Sequence, residues 1–349
     1  MASENQTKHP DFLLLGLASW PEHEHLFLAL FFTLYLLNML GNLLIILLIC
    51  SNGQLLHAPM YFFLSHFSFM DISVTSTTIP KMLHNLYMGR KNITYASCLA
   101  QMYFFMAFDP TKNFLLGAMA LDCCMAICQP LHYPVVMSPT RCHIMVSIAW
   151  LLAHLHSLMH TVLMSQQSFC DQDIHHFFCD SQPLLVMACS EKHLNEMLNF
   201  FEGGIIIIGN FLLILVSYAL IVHAVLWVPS AQGQGKAFQT CASHLIVVTL
   251  FYGTAIGVYF QSLSTYSGDK DKVATVMYTV VTPMLNLFIY SLRNADMKAA
   301  LHRSLAKLRN VLSKPGDVKI DWKEVVAIRT AKRKQCLAQC MVALQNPLP

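Results

Sequence analysis

Seven stretches of this chain are long and apolar enough to cross a lipid bilayer as helices. They cover about residues 26–50, 59–79, 99–128, 142–164, 197–228, 237–263 and 273–292. A hydrocarbon core of ~30 Å needs about 20 apolar residues in helical form. Backbone polar groups in lipid must be paired within the segment, so each stretch reads as a helix. The first, fourth, sixth and seventh contain no Asp, Glu, Lys or Arg. The second carries Asp71, the third Asp109, Lys112 and Asp122, and the fifth Glu202.

This pattern excludes a water-soluble domain. Only 12% of the 349 residues are charged, against about 25% in soluble proteins. Twelve of the 22 Lys and Arg lie at or after Arg293, so no basic stripe for nucleic acid exists upstream. An enzyme is not expected, because no nucleophile–base pair, metal-ligand set or phosphate-cradling glycine loop recurs at the helix ends. A transporter or channel would show an internal repeat or a polar pore stripe, and neither is seen.

The expected fold is an all-α membrane protein, a seven-transmembrane-helix bundle with a short amphipathic eighth helix. Residues 1–25 form a polar, extracellular N-terminus with an N-glycosylation acceptor at Asn5. Residues 26–292 form the membrane domain, and the first span is the expected signal anchor. Residues 293–312 form a membrane-surface helix, with Met297, Ala300, Leu301, Leu305 and Leu308 at helical spacing. Residues 313–349 form a basic, disordered cytoplasmic tail, in which Cys336 and Cys340 stand beside basic residues. Positive charge hardly distinguishes the two sides. The acceptor at Asn5 and the cysteines support an N-terminus outside.

The longest outer loop, about 165–196, holds Cys170, Cys179 and Cys189, and Cys98 lies at the outer end of the third span. Four cysteines on an oxidising side can pair in three ways.

Several motifs occur in order. Pro59-Met60-Tyr61-Phe62-Phe63-Leu64-Ser65 opens the second span, and Met119-Ala120 with Ala126-Ile127-Cys128-Gln129-Pro130-Leu131-His132-Tyr133 flanks the inner end of the third. His176-Phe177-Phe178-Cys179-Asp180 lies in the outer loop. Ser217-Tyr218 ends the fifth span, and Lys236-Ala237-Phe238 with Ser243-His244-Leu245 opens the sixth. Pro283-Met284-Leu285-Asn286 and Phe288-Ile289-Tyr290-Ser291-Leu292-Arg293-Asn294 close the seventh. This set resembles the vertebrate odorant receptors of the rhodopsin-like G-protein-coupled class, from roughly Asn5 to Val311.

The resemblance implies a plasma-membrane receptor for small volatile molecules. It implies a stimulatory G protein as partner, cyclic AMP as output and no cofactor. It also implies disulfides Cys98–Cys179 and Cys170–Cys189. The ligand pocket is expected between the outer halves of the third, fifth, sixth and seventh helices. Spacing gathers Phe105, Met106 and Asp109 on the third, Glu202 and Ile206 on the fifth, Tyr252, Ala255, Ile256 and Tyr259 on the sixth, and Thr279 on the seventh.

Residues expected to act in activation and G-protein coupling are Asn42, Asp71, Asp122, Cys123, Cys124, Tyr218, Asn286 and Tyr290. Asp71 with Asn42 and Asn286 reads either as a sodium or water site or as a structural clamp between helices. Asp109 and Lys112, three apart, read as a pair on one helix face, against the alternative that Asp109 and Glu202 face an amine ligand. Pro110 is expected to kink the helix.

The switch marks depart from the family. Asp-Arg-Tyr is replaced by Asp122-Cys123-Cys124. A cysteine has neither the charge nor the reach of arginine, so Asp122 is expected to lack its local partner. Asn-Pro-x-x-Tyr is replaced by Asn286-Leu287-Phe288-Ile289-Tyr290, which restores a backbone N–H and should lessen the kink. The expectation is a receptor with weakened coupling. The alternative is a ligand-binding or partner membrane protein that no longer signals. His156 and His160, four apart, share a helix face, and His175, His176, Cys179 and Asp180 also resemble ligands. Cys179 is better used in a disulfide, and no metal site is expected.

Overall fold

The computed structural model describes residues 11–16, 24–227, 231–259 and 268–312; Asn5 and the tail 313–349 lie outside them. The chain opens with strand β1 (Phe12–Leu14) and helix α1 (Glu24–Ser51). α1 turns Asn38 and Asn42 inward while Leu30, Leu37, Leu40, Leu43 and Leu47 face outward. A helix surrounded by water does the reverse. In lipid, tails solvate the leucines, and polar side chains are left to join helix to helix.

The short α2 (Gly53–Leu56) leads into α3 (Pro59–Met88). Proline at the first turn costs no hydrogen bond, because the N–H there has no helical partner. α3 runs to Met88, past Ile79 where the apolar span ends, with Pro80 inside it. Pro80 withholds an N–H in the next turn, and there Gln101 Nε2 donates to Thr77 O at 2.8 Å. Gly89, at φ 62°, then ends the helix in the left-handed conformation that glycine adopts without strain. The hydroxyls of α3 bond back to its own carbonyls: Ser73 to Phe69, Thr75 to Asp71 and Thr77 to Ser73, at 2.6 to 2.8 Å.

β2 (Asn92–Ile93) precedes α4 (Tyr95–Cys128), capped by the Thr94 side chain. Then follow α5 (Tyr133–Val136), α6 (Pro139–Ser165), β3 (Asp173–Ile174), α7 (Ser181–Met187), α8 (His193–Leu226) and α9 (Ala231–Tyr259). α4 is the axis of the molecule. Its most apolar window is 67% buried, against 28% for those of α1, α6 and α8. It packs against α3, α6, α8 and α9.

The last span is not one regular helix. α10 (Gly268–Val276) and α11 (Thr282–Arg293) are joined by a π turn at Met277–Val281. Pro283 cannot donate to the preceding turn. The Thr282 N–H and hydroxyl both bond Met277 O instead, the hydroxyl at 2.9 Å. The loss of the motif proline at Leu287 therefore leaves the span irregular, with the irregularity one turn earlier.

α12 (Ala295–Leu312) buries Met297 and Ala300. Tyr61 fastens its start by donating to Asp296 Oδ2 at 2.8 Å, with Asn294 Oδ1 3.1 Å from the same hydroxyl. Among the described residues, five helical segments are long and apolar enough to cross a membrane: α1, α4, α6, α8 and Lys272–Tyr290. Cys241–Ala255 is a shorter apolar run.

At one end, the three strands form a sheet in the order β2-β1-β3. Phe12 and Leu14 are buried beneath it with Ile93 and Ile174. Disulfides Cys98–Cys179 and Cys170–Cys189 hold the long loop over the helices.

Candidate functional site

The centre of the bundle holds an ion pair. Asp71 on α3 and Lys112 on α4 are both fully buried, with Lys112 Nζ 2.9 Å from Asp71 Oδ1. Asn286 donates to the other carboxylate oxygen at 3.2 Å. Lys112 also lies 5.8 to 5.9 Å from the ring centroids of Phe67, Phe251 and Tyr278. Aromatic faces attract a desolvated ammonium.

This arrangement corrects two expectations. Lys112 does not pair with Asp109, three residues before it, but with an acid on another helix. Asp109 instead accepts a hydrogen bond from Tyr278. Nor does Asn42 reach Asp71 directly. It donates to Asn38 Oδ1 at 2.7 Å, and Asn38 donates to Thr75 Oγ1 at 2.7 Å and to Asp71 O at 3.3 Å. Neither reading of this cluster, a sodium or water site or a structural clamp, includes Lys112, whose ion pair joins α3 to α4. A tethered ammonium stands beside Asp71, where a mobile cation would otherwise be held.

Above this pair lie most of the expected ligand residues. Phe105, Tyr252, Ala255 and Thr279 are buried, and Asp109 is 9% exposed. Met106 packs against the same core. Phe178 from the outer loop meets Phe105 with ring centroids 4.8 Å apart. Tyr252 donates to Asn113 Oδ1 at 2.6 Å, and Asn210 donates to Tyr252 Oη at 2.9 Å. Asn113 in turn donates to Ile206 O at 3.1 Å. The side chains of Ile256 and Tyr259 lie outside the described ones. Glu202 does not join this group: it turns to His156 and His160 on α6.

Two cavities lie elsewhere. One, of about 220 Å³, is lined by Phe114, Leu121, Met145, Leu152, Asn210 and Leu213 among others. The other, of about 160 Å³, sits under the N-terminal strand and is lined by Leu14, Glu24, Phe27, Met82 and Phe177 among others.

The loop over the cluster is itself fixed. The Cys179 N–H donates to Gln101 Oε1 at 2.9 Å. His176 is buried, with Nδ1 3.2 Å from Phe178 O and Nε2 3.4 Å from Thr275 Oγ1. Burial pulls its pKa down to about 3, so the ring is neutral at pH 7. Asp180 caps α7 by accepting from the Ser181 N–H at 2.7 Å, and burial raises its pKa to about 6. Cys179 is consumed in its disulfide and His175 is exposed, so these residues do not assemble as metal ligands.

At the inner end, Asp122 has a partner after all. Tyr133 donates to Asp122 Oδ1 at 2.9 Å. Burial and the carboxylate raise the Tyr133 pKa, so the hydroxyl remains a donor. Cys123 is buried and hydrogen-bonds the Cys241 thiol of α9, while Cys124 lies 3.9 Å from Cys128, sulfur to sulfur. Tyr218 lies 2.6 Å from His244 Nδ1, and His244 Nε2 lies 3.1 Å from Leu116 O, which ties α8, α9 and α4 together. Tyr290 is buried, and its hydroxyl has no hydrogen-bond partner among the described residues.

The sequence alone shows no role for Tyr133, His244, Asn113 or Asn210, nor the bonds that join the last two to Tyr252. The available signal was polarity inside apolar helices, where unpaired groups are costly. It identifies candidates without naming their partners.

Apolar helices turned outward, polar contacts turned inward and a disulfide-tied loop over one end define a multi-pass membrane protein. The family model described as olfactory receptor matches residues 31–308. The chain is 53% identical to olfactory receptor 1E2 of Gorilla gorilla gorilla over 311 residues, covering 89% of this chain and 99% of that one. It is 52% identical to olfactory receptor 1E1 of Homo sapiens over 314 residues, covering 90% and 100%. It is also 52% identical to olfactory receptor 1468 of Rattus norvegicus over 308 residues, covering 88% and 98%. The chain belongs to the olfactory receptor family and is a receptor, not an enzyme.

Proposed function

We propose that the chain is a plasma-membrane odorant receptor with its N-terminus outside and seven helices crossing the bilayer. It binds small volatile molecules among Phe105, Met106, Asp109, Ile206, Tyr252, Ala255, Ile256, Tyr259 and Thr279. Its partner is a stimulatory G protein that raises cyclic AMP, and coupling is weak. The single observation that carries the weakness is Cys123, a buried thiol facing Cys241 where the family places a mobile arginine. A neutral thiol cannot leave an acid on one helix and reach a partner protein, as a guanidinium can.

The test is cyclic AMP output from the full chain, tagged and expressed with the olfactory G protein against an odorant panel. Cys123→Arg/Cys124→Tyr is run beside it at matched surface level. The expected result is a response from the variant that the natural chain lacks or shows only faintly. A full response from the natural chain overturns the reading.

The Lys112–Asp71 pair favours a second reading, a ligand-binding or partner protein that does not signal. If helices α3 and α4 are held by a buried charge pair, restoring the arginine alone leaves the variant silent. The family tends to carry an acid near Lys112, so adding Lys112→Glu to that variant separates the two readings: a response that appears only then supports the second.

A further inference from the structure

We infer that His156, His160 and Glu202 form a binding site for a divalent cation of zinc-like chemistry between α6 and α8. The inference does not depend on the signalling proposal. His156 and His160 stand one turn apart on α6, their ring centroids 4.5 Å apart. Glu202 comes from α8 and splits its carboxylate between them. Oε1 lies 3.2 Å from His156 Nδ1, and Oε2 lies 3.5 Å from His160 Nε2.

The three donor groups lie within 4.8 Å of one another. Tetrahedral zinc has bonds of about 2.0–2.1 Å to nitrogen and oxygen, so neighbouring donor atoms are about 3.3 Å apart. Each nitrogen already stands near that spacing from one oxygen of the shared carboxylate.

The surroundings favour a cation over a chance contact. His156 Nδ1 and His160 Nε2 are buried and have no hydrogen-bond partner of good geometry among the described residues. A carboxyl group beside two imidazoles brings oxygen and nitrogen ligand atoms from three side chains to a single point. A divalent ion there satisfies all three and leaves a fourth position for water, the pattern of zinc sites with three protein ligands. Glu202 is about one-third exposed, so the site opens between the helices. α6 and α8 pack mainly on α4 and touch each other sparingly. A bound ion would therefore join α6 to the outer half of α8, one turn before Ile206.

The spacing of the two histidines is visible in the sequence, but two imidazoles alone do not make a site. The third ligand lies on a different helix and becomes visible only in the fold.

The test uses the full chain in detergent, purified without a histidine tag, with free thiols alkylated and metal removed by chelation. Zinc uptake is measured by competition with a chromophoric chelator, and cobalt is added to report coordination geometry. The expected result is one zinc per chain and a tetrahedral cobalt spectrum. His160→Ala and Glu202→Gln should weaken binding at least about tenfold, since removal of a ligand costs affinity directly. His154→Ala should leave binding intact, because that ring pairs with Tyr103 and lies outside the cluster. Failure of the natural chain to take up zinc overturns the inference, as does equal uptake by Glu202→Gln. The cobalt spectrum of the natural chain decides the matter even if a variant fails to fold: an octahedral spectrum overturns the inference.

Discussion

A lysine ammonium in the middle of an apolar bundle is costly unless something cancels its charge. Lys112 is cancelled by Asp71 and surrounded by three aromatic rings. Removing one member of a buried pair typically costs about 3–5 kcal/mol, because the other is left uncompensated. Lys112→Met should therefore lower the melting temperature in detergent. Asp71→Asn/Lys112→Met should recover most of the loss, and the absence of any recovery would show that the pair is not the source. The sequence displays this charge but not its partner. Asp109 is three residues away on the same helix, whereas Asp71 becomes a neighbour only once α3 packs on α4. Leu287 poses a similar problem. A Cβ added at Gly41 would lie 2.0 Å from the Leu287 side chain. The leucine that replaces the motif proline thus fills space that only a glycine leaves open. Gly41→Ala should cost about 1–3 kcal/mol by overpacking, and Leu287→Ala in the same chain should relieve it. Thermal unfolding of the single and double variants checks this.

The elements differ in how readily they are read from sequence. Apolar spans mark where helices exist, because lipid forces backbone pairing. Their ends and irregularities follow from contacts between segments. α3 continues through Pro80 to Met88, and the π turn precedes Pro283. The outer loop has two buried titratable groups with opposite effects. The lowered pKa of His176 means the folded loop binds a proton less readily than the unfolded one. Stability therefore rises with pH between about 3 and 6.5. The raised pKa of Asp180 means the folded loop binds a proton more readily, so stability falls as pH rises from the ordinary carboxylate range to about 6. In His176→Asn, protection of the Cys179 amide, corrected for intrinsic exchange, should fall as pH rises toward 6. In Asp180→Asn it should rise with pH up to about 6.5. Hydrogen exchange followed by mass spectrometry checks both, and matching profiles in the two variants would contradict the assignment.

Across the whole molecule, the features that build the bundle are intact while the positions proposed to act in coupling are altered. α4 remains the axis, the disulfides hold the loop, and the Tyr218–His244 contact joins α8 and α9 to α4. The altered positions are Cys123, Cys124, Lys112 and Leu287, at the inner end and centre of the bundle. The sequence motifs locate these departures. What each side chain does in place of the family residue depends on the fold: Asp122 takes Tyr133, Cys123 takes Cys241, and Lys112 takes Asp71. The most direct test of the proposed weak coupling needs no ligand. Basal cyclic AMP is measured in cells expressing the natural chain or Cys123→Arg/Cys124→Tyr/Lys112→Glu at equal surface density. The account predicts that the natural chain matches cells without receptor and that the variant rises above them. A natural chain that raises basal cyclic AMP as much as the variant would contradict it.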